Sequence, residues 1–263
     1  MSQPDAFLLS LVERFQQPGV IGLAVTGSYS RGAQDRYSDV DLDIFVNELP
    51  DENYTLRIFD GKLVSIKYIR LADEFASLTK PDSAIWSVQG LRQMHILWDE
   101  SGEIHRLQQA AFDFQWEPLQ PAADVYAVEQ LMGCAEEAQK IMGGLLKETE
   151  SKVMYAAWGM FKSLSFATAI QAGLMIDSEN RIFSMMEDHF KGSHPGWVRA
   201  FRLAFGMDVE ADKPAFIARG LASLDLYEET ARLFKDIITE NHREVIANTL
   251  QLIASFKQSY PHA

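Results

Sequence analysis

An α+β chain is predicted, with a small mixed sheet and flanking helices first and an all-α bundle after it. Three observations predict this. Short apolar runs alternate with turns and brief helical patterns over the first 115 or so residues, the alternation stops at Pro118, and helical periodicity continues from there to the end. The expected domains are residues 1–117 and 118–263, with QWEPLQPAAD as the linker.

In the first part, DAFLLSLVERFQQ carries apolar residues at 7, 8, 11, 12 and 15, a helical stripe that Pro18-Gly19 stops. VIGLAVTGS reads as a buried strand ending in a turn, YSRGAQDRYS as a short helix or loop, and DVDLDIFVNEL as the second strand. YTLRIFDGKLVSIKYIRL is a hairpin with Asp60-Gly61 at its turn. ADEFASLTK is helical, and MHILWDESGEIHRL gives a strand, a turn at Ser101-Gly102 and a helix start. Beyond Pro118, ADVYAVEQLMGCAEEAQKIMGGLLKET and SKVMYAAWGMFKSLSFATAIQAG read as two helices of more than twenty residues, the second apolar nearly all round and therefore central. Shorter helices follow at about 179–191 and 195–206, then PAFIARGLASLDLYEETARLFKDIITE and a last one at about 242–259.

Composition narrows the function classes. The 263 residues are 47% hydrophobic, which excludes disorder. No apolar run reaches the ~20 residues that cross a bilayer, and MSQPDAFLL lacks a basic region followed by an apolar one, so a cytoplasmic protein without membrane partners is expected. The single cysteine, Cys134, excludes an intramolecular disulfide and a thiolate zinc cage, and reads as a core filler. The six histidines show no metal-cage spacing. A net charge of −13 disfavours a long nucleic acid, whose binding depends on cationic groups, and suits a cationic small molecule or a metal-bound nucleotide.

The chemistry concentrates in VTGSYSRGAQDRYSDVDLDIFV. Strand alternation puts Asp39, Asp41 and Asp43 on one face while Val40, Leu42 and Ile44 turn to the core. Residues two apart on a strand lie about 6.6 Å apart at Cα, so two carboxylates can converge on hard cations. Magnesium, or manganese, meets that demand through one or two carboxylates plus phosphate oxygens. Gly27 lets backbone approach a ligand without a Cβ, Ser28 offers hydroxyl and amide to a phosphate, and Arg31 adds charge. A phosphate cradle facing a metal-binding strand is an arrangement for phosphoryl or nucleotidyl transfer.

Gly27-Ser28, ten intervening residues, then Asp39-Val40-Asp41-Leu42 resembles the signature of the DNA polymerase beta-like nucleotidyltransferase superfamily. The stretch is most similar to the small-substrate branch acting on aminoglycosides and lincosamides, with which HILWDESGEI and the helical C-terminal part agree more loosely. The resemblance implies a nucleotidyltransferase domain at the N-terminus, Asp39 and Asp41 as ligands of magnesium or manganese, and Gly27 and Ser28 as contacts of ATP or another nucleoside triphosphate. It implies transfer of a nucleoside monophosphate to a hydroxyl of a small, cationic, aminoglycoside-like acceptor, hence a role in antibiotic resistance. Relatives that build their cleft across two subunits extend the expectation to a homodimer.

The family also carries a third carboxylate on a neighbouring strand, and in KLVSIKYIR that position is Ser65, with Lys67 next on the same face. Three explanations stand side by side. Asp43 substitutes; or Glu129, Glu136 or Glu150 of the helical part closes over the site as base; or the domain is a degenerate binding or antitoxin-like regulatory module. Transfer onto a protein side chain is a further alternative. Lys162, a charge within WGMFKSLSF, either snorkels outward or contacts triphosphate, as helical-domain lysines do in some relatives. Tyr155, Trp158, Phe161 and Phe166 read as bundle core rather than a ligand shelf.

Overall fold

A computed structural model describes residues 6–261. By contacts the chain divides into two units: residues 1–119 with 175–182, and residues 120–174 with 183–263.

The first unit is built on a five-stranded mixed sheet. After helix α1 (Ala6–Phe15) come β1 (Val20–Thr26), the four-residue helix α2 (Gly27–Ser30), β2 (Val40–Val46), β3 (Tyr54–Phe59), β4 (Lys62–Arg70), α3 (Leu71–Ser77), α4 (Pro81–Gln93), β5 (His95–Asp99) and α5 (Glu103–Phe112). The strand order is β3-β4-β2-β1-β5. Only β2 and β4 run parallel; β1 pairs antiparallel with β2 and β5, and β3 with β4. The β3–β4 hairpin turns at Asp60 and Gly61, both with positive φ, as a tight two-residue hairpin demands.

Alternation along β2 assigns its two faces. Val40, Leu42, Ile44 and Val46 join Leu23, Val25, Val64 and Ile66 in a core closed by Phe7 and Leu11 of α1. The other face carries Asp41 and Asp43 and then Phe45, which packs with Ala24, Ile69, Leu91, Ile104 and Leu107 beneath α4 and α5. One strand face thus begins as carboxylates and ends as core. Helix α4 is absent from the sequence reading, although Pro81 at its first turn and the burial of Ala84, Ile85, Val88 and Leu91 follow helical spacing.

The second unit is helical: α6 (Gln120–Gly133), α7 (Ala135–Leu146), α8 (Glu150–Gln171), α9 (Ile182–Phe190, whose first residue falls in the other unit), α10 (Pro195–Phe205), α11 (Ala215–Leu233) and α12 (Glu240–Ser259). The expected linker corrects to structure, since a 3-10 turn at Glu117–Leu119 runs straight into α6. The first long helix corrects to two, interrupted at Cys134, where ψ is −5°. The apolar pattern continues across the break because Cys134 stays buried and the amide of Ala138 still bonds its carbonyl at 3.0 Å. Helix α8 is the central one: a Cβ built on Gly144 of α7 or on Gly220 of α11 would meet the Val153 side chain at 2.7 Å. Phe161 is core and packs at a tilt against the rings of Phe201 and Phe205, but Tyr155 and Trp158 are 74% and 57% exposed. Their helical spacing extends round the helix onto the outer face rather than along its buried one.

Candidate active site

The turn after β1 is dictated by its carboxylate neighbour. Gly27 has φ +65°, a left-handed conformation that L side chains resist. Thr26 pairs in register with Asp41. A Cβ on Gly27 would come within 2.0 Å of Asp41 Oδ2, so backbone conformation and carboxylate contact both require glycine. The Ser30 hydroxyl donates to the Gly27 carbonyl at 3.1 Å and the Ala33 amide to the Ser28 carbonyl at 3.0 Å, which leaves the Ser28 hydroxyl uncommitted among the described residues.

Asp39 immediately precedes β2 and Asp41 lies on it, both half-buried. Burial pushes the Asp41 carboxyl up, the charges of Asp39 and Glu179 push it the same way, and Arg31 opposes them. Like charges held together and partly desolvated favour a cation. Asp43 sits one step further along the same face, in register with Ala24 and Lys67. Its carboxyl is raised to about 7, by burial first, with Glu74 and Asp41 adding to the effect, while Lys67 and the Thr26 hydroxyl oppose it. Glu74 of α3, which sequence reasoning missed, is also raised by burial, against Lys67 and a hydrogen bond from Ser87. Ser65 stands in register beside Asp41, with its hydroxyl 3.4 Å from that of Tyr54.

A cavity of about 710 Å³, wholly within the first unit, brings these groups together. Gly27, Ser28, Arg31, Asp39 and Asp41 line it; Asp43, Ser65 and Lys67 do not. Trp86 and Gly90, one turn apart on α4, and the segment 175–182 complete its wall. That segment is fastened by the Ile176 amide donating to the Ile85 carbonyl at 2.7 Å and by Arg31 Nη1 donating to the Asp177 carbonyl at 3.3 Å. Its carboxylates, Asp177 and Glu179, face the same cavity as the Asp39–Asp41 pair, and Asp177 is ion-paired with Arg181. Sequence reasoning read this stretch only as the start of a helix, and no local periodicity says that it rejoins the first unit. Lys162 belongs to the second unit, exposed on α8 with its ammonium 5.7 Å from the Trp158 ring centre; Glu129, Glu136 and Glu150 lie on α6, α7 and α8 of that unit.

A larger cavity, about 850 Å³, opens at the other end of β2, by Val46, Glu48, Pro50, Arg57 and Tyr68, and contains none of the motif residues. Among the described residues no group of three or more His, Cys, Asp or Glu side chains is placed to hold a metal ion by itself. No described helix is long and apolar enough to cross a membrane.

No curated protein matches the chain. Among solved structures it is similar to a nucleotidyltransferase-like protein from Exiguobacterium sibiricum 255-15, at 14% sequence identity and a TM-score of 0.49, over 90% of this chain and 78% of that one. Residues 6–91, which run from α1 into α4 and hold the Gly27-Ser28 turn with Asp39 and Asp41, match the family model of the nucleotidyltransferase domain.

Proposed function

We propose that the chain is a metal-dependent nucleotidyltransferase that moves a nucleoside monophosphate from ATP, or another nucleoside triphosphate, onto a hydroxyl of a small acceptor. One observation carries the reading: the Gly27-Ser28 turn and the Asp39–Asp41 pair line a single cavity, with a Gly27-to-Asp41 approach too close for any side chain. The donor set fits a divalent cation, because two partly desolvated carboxylates repel one another and, among the described residues, no third His, Cys, Asp or Glu joins them, which leaves positions for phosphate oxygens and water. Asp39 and Asp41 would hold that cation, magnesium or manganese, and when bound it supplies neutralisation of the triphosphate charge.

The chain's own groups do the rest. The Gly27 backbone and Ser28 receive phosphate oxygens, and Arg31, which already offsets the Asp41 charge, adds a guanidinium to the same wall. Trp86 and Tyr37 give the cavity apolar surface, and Asp35, Asp177 and Glu179 give it a negative rim that suits a cationic, aminoglycoside-like acceptor. The test is incubation with labelled ATP, magnesium or manganese, and a panel of hydroxylated acceptors. Pyrophosphate release that disappears in Asp39→Ala/Asp41→Ala supports the reading.

A second reading, a binding or antitoxin-like regulatory module that has lost chemistry, is favoured by Ser65 and Lys67 in register beside Asp41 and Asp43. Metal-dependent ATP binding without turnover across the whole panel would select it.

A further inference from the structure

A hydroxyl that attacks phosphorus must lose its proton, and the group that takes it must be ionised, unengaged and inside the cavity. The cavity's acids sort themselves by that criterion. Asp39 and Asp41 are taken by the cation in the reading above, on which this inference rests. Asp35 is committed to its own loop, accepting the Tyr37 amide at 2.7 Å and the Ser38 hydroxyl at 3.4 Å. Asp177 is ion-paired with Arg181, and its side chain is only 20% exposed. Glu179 remains: it lines the cavity, is exposed, and among the described residues its side chain makes no hydrogen bond or ion pair.

We infer that Glu179 is the catalytic base of the transfer, presented by segment 175–182 rather than by the sheet. In the step, an oxygen lone pair of the acceptor hydroxyl forms the bond to the α-phosphorus of the nucleoside triphosphate. The bond from that phosphorus to the pyrophosphate bridging oxygen breaks, and pyrophosphate leaves with the electron pair. The hydroxyl proton goes to the Glu179 carboxylate and from there to solvent.

The placement supports this in two ways. Segment 175–182 is anchored on both sides of the cavity, through Ile176 to α4 and through Asp177 to Arg31, so Glu179 is carried by a fixed turn although its own side chain is free. Glu179 also lines the same cavity as the Asp39–Asp41 pair, where acceptor and triphosphate would meet. Asp43 does not compete, since it lies outside the cavity lining beside Lys67 and Thr26.

The experiment uses the full chain and two readouts. Calorimetry measures MgATP binding, and pyrophosphate release is followed with MgATP and streptomycin, kanamycin, lincomycin and glycerol as acceptors. The expected result for Glu179→Gln is a fall in kcat of about 100-fold or more, with MgATP affinity and acceptor KM within about threefold of the parent. Glu179→Gln that keeps kcat within threefold in an active parent background overturns the base and leaves the transfer reading standing. So does a loss confined to MgATP affinity or KM, or a kcat loss that falls on Glu129→Gln, Glu136→Gln or Glu150→Gln instead. A parent that binds MgATP but releases no pyrophosphate with any acceptor overturns the transfer reading and the base with it.

Discussion

Gly27 and Asp41 occupy the same space: a methyl group on the first would lie 2.0 Å from Oδ2 of the second. The contact joins the end of β1 to the face of β2. Gly27→Ala must therefore displace the carboxylate and also force a side chain into a conformation with φ +65°. The expected outcome is a loss of about 1–3 kcal/mol in denaturant unfolding and at least a tenfold loss of MgATP affinity by calorimetry.

The ionised form of Asp41 is disfavoured as it stands, because burial and the neighbouring charge of Asp39 both penalise it. Asp39→Asn should raise the thermal midpoint of the metal-free protein while abolishing the response to ligand. In the parent, MgATP at a hundred times its dissociation constant should add about 2.7 kcal/mol, and chelation by EDTA should remove it. A parent whose midpoint ignores MgATP and EDTA alike would rule out the cation site.

The carboxylate-bearing face of the sheet was legible in the sequence because strand alternation and a glycine turn are local signals, and Gly27, Ser28, Arg31, Asp39 and Asp41 all line one cavity. What was illegible is long-range. Asp177 and Glu179 reach that cavity from a stretch more than 130 residues downstream of Asp41, through backbone bonds such as Ile176 to Ile85 that any side chain would permit. Trp86 and Gly90 were missed with α4 itself, although its Ala84, Ile85, Val88 and Leu91 keep helical spacing. The break at Cys134 was hidden because buried apolar spacing runs through it unchanged.

Gly90 tests whether the α4 wall of the cavity is a binding surface. It is helical, lines the cavity, and has nothing within 4 Å of where a Cβ would stand. Gly90→Ala should stabilise the fold by about 0.5–1 kcal/mol, because glycine is the costlier residue inside a helix. Gly90→Phe should leave stability near the parent's but weaken MgATP or acceptor binding at least tenfold by filling the space. Unchanged binding in Gly90→Phe would show that ligands do not use this wall.

The start of α5 offers a prediction with a definite sign in pH. Asp99, at the end of β5, has a fully buried side chain that accepts the His105 amide at 2.9 Å and meets the His105 ring Nδ1 at 2.6 Å. Burial alone would push its carboxyl up, but the hydrogen bonds from His105 and from the Ile104 amide outweigh it and hold the group below the ordinary carboxylate value. A carboxyl depressed in the folded state contributes stability that is present above its unfolded pKa, about 4, and is lost as pH falls through the folded value. This anchor orients α5, whose Ile104, Leu107 and Ala111 pack with Phe45 on the carboxylate-bearing face of β2, so the effect reaches the sheet that carries the site. Asp99→Asn should cost about 1 kcal/mol at pH 7. The gap between parent and variant in urea unfolding should shrink between pH 5 and pH 3, and a gap that stays constant across that interval would show that the Asp99 charge contributes nothing to holding α5 in place.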